Sequence, residues 1–122
     1  MNNRIREAAR MLKSDSMKTN VQSIHFKASE KLLTYINEHI ARLSRVSDQA
    51  ESSTVYLRLD NNKSRNNKIV ELKVHVPGED IMVVKESNSF EKSMRMATAS
   101  ARRIMRKSKR KQGKFKLFRR AL

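Results

Sequence analysis

The sequence predicts an α+β fold in the order β-α-β-β-β-α: a four-stranded mixed sheet, rich in antiparallel pairs, with two helices packed on one face. Three observations carry that expectation. Residues 54–60 and 68–76 alternate apolar and polar side chains at the period of half-buried strands. Two longer segments, after Ser29 and after Ser89, repeat apolar residues at helical spacing. Between the strands lie a polar stretch, Asn61 to Asn67, and a Pro77-Gly78-Glu79 turn, which read as hairpin connections.

Each element has its own local cause. Residues 2–13 place Ile5, Ala8, Ala9 and Leu12 at helical spacing among arginines, and Ser14-Asp15-Ser16 breaks the pattern. This is a short amphipathic helix at most, because twelve residues are marginal alone in water. Met17 to Phe26, rich in Thr, Val, Ile and Phe, reads as the first strand. Ser29 is a good N-cap for a helix whose stripe is Leu32, Leu33, Ile36, Ile40 and Leu43, ending near Arg45 or Val46. A polar loop, residues 47–53, leads to the second strand, where Val55, Leu57 and Leu59 point inward. The third strand, Lys68 to Val76, turns Val70, Leu72, Val74 and Val76 inward. Pro77 fixes φ and Gly78 accepts positive φ, so the chain reverses there into a fourth strand at Ile81 to Lys85. Ser87-Asn88-Ser89 offers caps for the second helix, whose apolar stripe is Phe90, Met94, Ala97, Ala101, Ile104 and Met105. Beyond Ser108 the periodicity fades into a basic tail that orders on its partner. The division expected is an N-terminal extension over residues 1–16, either a short helix or disordered, a folded domain over 17–109, and a basic tail over 110–122.

Composition excludes several function classes. The chain has 122 residues, no Cys, two Gly and one Pro. That suits one domain with appendages, and it rules out disulfides, thiolate metal sites and a Gly-rich phosphate loop. No apolar run approaches the roughly 20 residues that span a bilayer. The first residues interleave arginines with apolar ones and lack a signal-peptide core, so the protein reads as cytoplasmic. The histidines at 25, 39 and 75 fall on a strand, a helix and a strand without metal-ligand spacing and read as packing or surface residues. Carboxylates are scattered and no Ser sits in a nucleophile motif, so no catalytic constellation, cofactor or metal site is expected. The seven Met read as core filler and a start residue.

Charge is the strongest signal. The formal net charge is +16. Residues 92–122 hold thirteen Lys or Arg and no acid, whereas residues 17–91 hold eleven basic and ten acidic side chains. A solvated helix face normally mixes both signs, so an unbalanced run points to a polyphosphate partner. The candidate contact residues are Arg95, Arg102, Arg103, Arg106, Lys107, Lys109, Arg110 and Lys111, followed by Lys114, Lys116, Arg119 and Arg120. Phe115, Leu117 and Phe118 lie within that run. Such aromatics stack on unpaired bases, anchor in a protein groove or bury against the domain, and the sequence leaves all three open.

Met17 to Phe26 followed by Ala28-Ser29-Glu30-Lys31-Leu32 resembles the opening of short ribosome hibernation-promoting factors, the ribosome-associated translation inhibitor family. Lys68 to Gly78 is similar to their third strand and turn, and Ser89-Phe90-Glu91 with Arg102-Arg103 and Arg106-Lys107 is similar to their last helix. The resemblance covers about residues 17–110. It implies a β-α-β-β-β-α domain that binds the small (30S) ribosomal subunit in the mRNA and tRNA channel, contacts 16S rRNA and neighbouring ribosomal proteins, inhibits translation and preserves idle ribosomes in starved cells. It also implies a non-enzymatic, cytoplasmic, ribosome-associated protein, monomeric off the ribosome and without membrane contact, with Arg102, Arg103, Arg106, Lys107 and Lys109 on the rRNA-contacting helix.

The chain departs from the family pattern in places. Lys92, Arg95 and Ala101 stand where acids and a Leu are usual, Ile104 stands where a Gln is common, and Ser23 stands where many relatives carry Gly. Met17 matches the usual start, which makes residues 1–16 an extension or places the true start at Met17. The C-terminal dimerisation domain of long members is absent, and the basic tail has no counterpart in the family. Two other readings stand beside this one. A constitutive ribosomal protein would use the same charge, and a double-stranded RNA-binding module would share the α-β-β-β-α order but lack the first strand.

Overall fold

In the structure, a computed structural model that describes residues 17–46 and 50–121, with side chains as far as Lys107, the expected order appears in full. The elements are β1 (Lys18–Ser23), α1 (Glu30–Ser44), β2 (Ser52–Leu59), β3 (Lys68–Val76), β4 (Glu79–Ser87) and α2 (Phe90–Ala121). The reading of residues 1–16 lies outside the described residues.

The four strands form one sheet in the order β1-β2-β3-β4. β1 pairs parallel with β2, Val21 opposite Val55, and the two remaining pairings are antiparallel. The sheet is therefore mixed. A parallel pair needs a crossover connection, and α1 supplies it. A double-stranded RNA-binding module has no counterpart to this first strand.

Inward positions follow the two-residue period. Val55 and Leu57 on β2, Val70, Leu72 and Val74 on β3, and Ile81 and Val83 on β4 are buried. They meet Leu32, Ile36, Ile40 and Leu43 of α1 and Met94, Ala97, Ala101 and Met105 of α2 in a single core. Both helices thus cover the same sheet face. α1 starts where Ser29 predicts, its Oγ accepting from the Leu32 N–H at 3.1 Å. Pro77 and Gly78 form the two-residue turn between β3 and β4, with Gly78 at φ 81. A side chain there would be strained.

Four expectations need correction. Leu59 is 42 % exposed rather than inward. It closes β2 opposite Lys68, at the strand end, where its side chain stays open to solvent. Ile104 is 37 % exposed, and its neighbour Met105 takes the core position. Counting four residues from Ala101 keeps phase with the buried stripe, whereas three residues rotates out of it. α2 does not end near Ser108 but continues to Ala121, through residues that are mostly good helix formers with no Pro. β1 is also shorter than expected, because Ile24 to Phe26 bend away at His25, which adopts φ 65.

Leu57→Ala or Ile36→Ala should each lower unfolding free energy by about 2–4 kcal/mol, since both side chains are fully enclosed. Leu59→Ala should cost within about 0.5 kcal/mol, as expected of a surface position. Urea denaturation of the three variants checks this, and a Leu59 loss equal to that of Leu57 would contradict the burial pattern.

Candidate nucleic-acid interface

The basic helix is fixed to the sheet at its first turn. Ser89 caps it, the Oγ accepting from the Lys92 N–H at 3.1 Å. Ser93 Oγ donates to the Lys68 carbonyl at 2.7 Å and lies 2.7 Å from Ser87 Oγ. Ser87 Oγ in turn contacts the Ser89 carbonyl at 2.8 Å. These buried hydroxyls join α2 to β3 and β4 and leave no polar atom orphaned among the described residues. Phe90 adds a stacked contact on Phe26, the ring centroids 5.1 Å apart.

Past this anchor the buried side of α2 is narrow and small: Met94, Ala97, Thr98, Ala101 and Met105. The Thr98 hydroxyl donates back to the Met94 carbonyl at 3.0 Å, so its burial leaves no unmet hydrogen bond. Alanines let the helix lie close on the sheet and on α1. With that side fixed, the other side must face outward. Arg95, Arg103, Arg106 and Lys107 are exposed and Arg102 is half-buried. Arg95, Arg102 and Arg106 are spaced by seven and four residues, which places them along one stripe. Arg103 and Lys107 form a second stripe beside it. Arg103 also donates from Nη2 to Ser100 Oγ at 3.3 Å, which orients its guanidinium along the helix.

The structure therefore brings five of the predicted contact residues onto one outward surface. Lys109, Arg110, Lys111, Lys114, Lys116, Arg119 and Arg120 follow on the same continuous helix backbone, and their side chains are outside the described set. Lys92 was missed. It is exposed and stands eleven residues before Arg103, three helical turns back on the second stripe. Its signal was that spacing, hidden because the dense basic run begins only at Arg102.

The body balances its charges locally. Lys63 Nζ lies 2.7 Å from Glu86 Oε1 across the sheet end. On the open face, His75 lies between Asp80 of β4, at Nδ1, and Glu51, whose Oε2 is 3.4 Å from Nε2. Lys73 stands 3.6 Å from Asp80. The hydrogen bond from His75 holds the Asp80 carboxyl below its usual range, and the Lys73 charge adds to that. The hydrogen bond to Glu86 raises the Lys63 ammonium. No Asp or Glu follows Glu91, which lies in the first turn of α2, so the rest of the helix has no acid on its own length.

Among the described residues no cluster of His, Asp or Glu could hold a metal ion. What the arrangement offers is a rigid row of guanidinium and ammonium groups, suited to phosphate oxygens.

Comparison with known proteins identifies the family and the fold. The family described as sigma 54 modulation protein / S30EA ribosomal protein matches residues 19–113. A ribosomal subunit interface protein from Coxiella burnetii is structurally similar, with a TM-score of 0.66 at 19 % identity over 76 % of this chain and 98 % of that one. The N-terminal domain of Protein Y from Thermus thermophilus gives a TM-score of 0.62 at 19 % identity over 72 % and 93 %. At these identities the two structures establish the shared fold. No curated protein sequence matches the chain.

The lowered Asp80 carboxyl contributes stability that is present above the unfolded-state range and lost as pH falls through its folded value, below about pH 4. Asp80→Asn should therefore flatten the acid limb of a melting-temperature profile taken from pH 6 to pH 3. Parallel profiles for the two proteins would show that the His75–Asp80 contact contributes nothing.

Proposed function

This chain belongs to the sigma 54 modulation protein / S30EA ribosomal protein family, and from that premise we propose that it is a ribosome hibernation factor. It binds the small ribosomal subunit in the channel used by mRNA and tRNA, inhibits translation there and preserves idle ribosomes. The observation that carries the reading is the segregation of charge. Thirteen basic residues and no acid follow Glu91, on a helix joined to a body with eleven basic and ten acidic residues.

The mechanism is occlusion and needs no bond-making step. The stripe of Arg95, Arg102 and Arg106, with Arg103, Lys107 and Lys92 beside it, neutralises phosphates of 16S rRNA and releases their counterions. The Ser93–Lys68 hydrogen bond and the buried alanine face hold that stripe at a fixed angle to the sheet. Binding of the helix therefore places the whole folded body at a defined point in the channel, where it excludes mRNA and tRNA by volume. The surplus of like charge also keeps the protein monomeric away from the ribosome.

Binding to isolated small subunits should weaken steeply with salt, on the order of tenfold or more between 50 and 200 mM, if several phosphates are contacted. Arg102→Glu with Arg106→Glu should abolish cosedimentation with small subunits and relieve inhibition of translation in vitro. Circular dichroism should be unchanged, because neither residue is on the buried face of α2. Undiminished small-subunit binding by the double variant would overturn the assignment of this helix as the contact surface.

A further inference from the structure

β4 is the last strand of the sheet, and hydrogen-bond parity shows what its outer edge offers. The Glu51 N–H donates to the His75 carbonyl and the Asp60 N–H to the Asn67 carbonyl, each at 2.9 Å. Odd-numbered residues of β3 and its entry therefore turn their backbone groups toward β2, and even-numbered ones turn toward β4. The register pairs those even positions with Ile81, Val83 and Lys85 of β4. Asp80, Met82, Val84 and Glu86 are left with N–H and C=O groups that point away from the sheet. Such a row is a template for another strand, and proteins normally blunt it with Pro, Lys, a bulge or a short strand. β4 has nine residues, an unbroken register and no Pro. Its one Lys, Lys85, lies in the row that pairs with β3.

The same four residues put their side chains on the open face. Met82 and Val84 are exposed there, whereas Ile81 and Val83 are buried against the helices. Along the edge the open face thus reads acid, apolar, apolar, acid at every second residue, over about 20 Å. Asp80 has Lys73 and His75 beside it and Glu86 has Lys63. These pairs are exposed and weak, so other cations can replace them. The pattern also decides against a second copy. An antiparallel pairing of β4 with itself that matches Met82 to Val84 sets Asp80 opposite Glu86 at both ends, and like charges directly opposite are destabilising. Each copy would also bring a net charge of +16.

We propose that the free edge of β4 is a docking site for an extended basic segment of another protein, which adds as a fifth strand. The segment that fits has a lysine or arginine, two apolar residues and a second lysine or arginine alternating with neutral residues. Its main chain pairs with the outward groups of Asp80, Met82, Val84 and Glu86. Its apolar side chains lie on Met82 and Val84, and its cations meet the two carboxylates. The site uses no residue of the α2 stripe and goes beyond the ribosomal reading.

The test uses the full-length chain and a synthetic peptide of the length of β4, in which lysine, valine, valine and lysine alternate with threonines. A second peptide carries glutamates for the lysines. Fluorescence anisotropy should show the lysine peptide binding about tenfold more tightly than the glutamate one. Net charge alone predicts the reverse order, so this preference reports the local acids. Residue-resolved amide exchange should slow at Asp80, Met82, Val84 and Glu86 when the lysine peptide binds. Ile81, Val83 and Lys85, already bonded to β3, should not change. Val84→Pro removes one outward N–H and no bond within the sheet, so it should weaken the lysine peptide about five- to tenfold. Equal or tighter binding of the glutamate peptide overturns the proposal, and so does protection that does not alternate along β4. Protection of the same amides without peptide, growing with protein concentration, assigns the edge to a second copy and overturns it as well. These outcomes are read on the unsubstituted chain and stand whether or not the Pro variant folds.

Discussion

The contact between the small-residue face of α2 and the sheet is the constraint on which the rest depends. Ala97 and Ala101 are fully buried between Met94 and Met105, and Ser93 fixes the helix entry by donating to a β3 carbonyl. A larger residue at either alanine would push the helix off β3 and β4 or force the core to repack. Because that face must point inward, helical geometry decides which residues point outward. Arg95, Arg102 and Arg106 are a rigid stripe because their opposite numbers are buried. A flexible basic tail would bind polyanions with the same charges but could not orient the body that follows it.

The division of charge has a second consequence. The body neutralises itself through short-range pairs such as Lys63 with Glu86 and the His75 group with Asp80, Glu51 and Lys73. Exposed pairs of this kind contribute little stability each, but they leave no large field of either sign on the sheet's open face. That face also carries Met82 and Val84, at 55 % and 48 % exposure, among polar neighbours. A polyanion approaching the molecule therefore meets one strongly attractive surface. Fold stability rests on the apolar core and the proposed function on the helix exterior, and α2 contributes to both.

Much of this was legible in the residues. The strict alternation of Lys68 to Val76 fixed β3 and its inward face to the residue, and Ser29 marked the start of α1. Short runs of apolar residues were less informative at their ends. Alternation assigns Leu59 to the inner face but says nothing of exposure at the strand end, so its exposure could not be read from β2 alone. Ile104 and Met105 differ by 100° on the helix, and a stripe with both in reach does not decide which one is buried until the sheet is in place. The parallel pairing of β1 with β2 is a property of the α1 crossover, invisible in either strand. For the site, the absence of acids after Glu91 exposed the ridge at once, while Lys92 was hidden by its distance from the dense run. The length of α2 was missed because apolar periodicity fades beyond Ser108, and that pattern alone does not report a helix backbone that continues past it.

Lysine footprinting of the full-length chain, with and without small ribosomal subunits, tests the central claim most directly. Acylation rates read by mass spectrometry report each ammonium group separately, with no substitution in the protein. The account predicts that Lys92 and Lys107, on the outward stripe of α2, become markedly slower in the complex. Lys63 and Lys73, in the self-balanced body, should react at their free rates. Protection of Lys63 and Lys73 with unchanged reactivity at Lys92 and Lys107 would contradict it and place the ribosomal contact on the sheet.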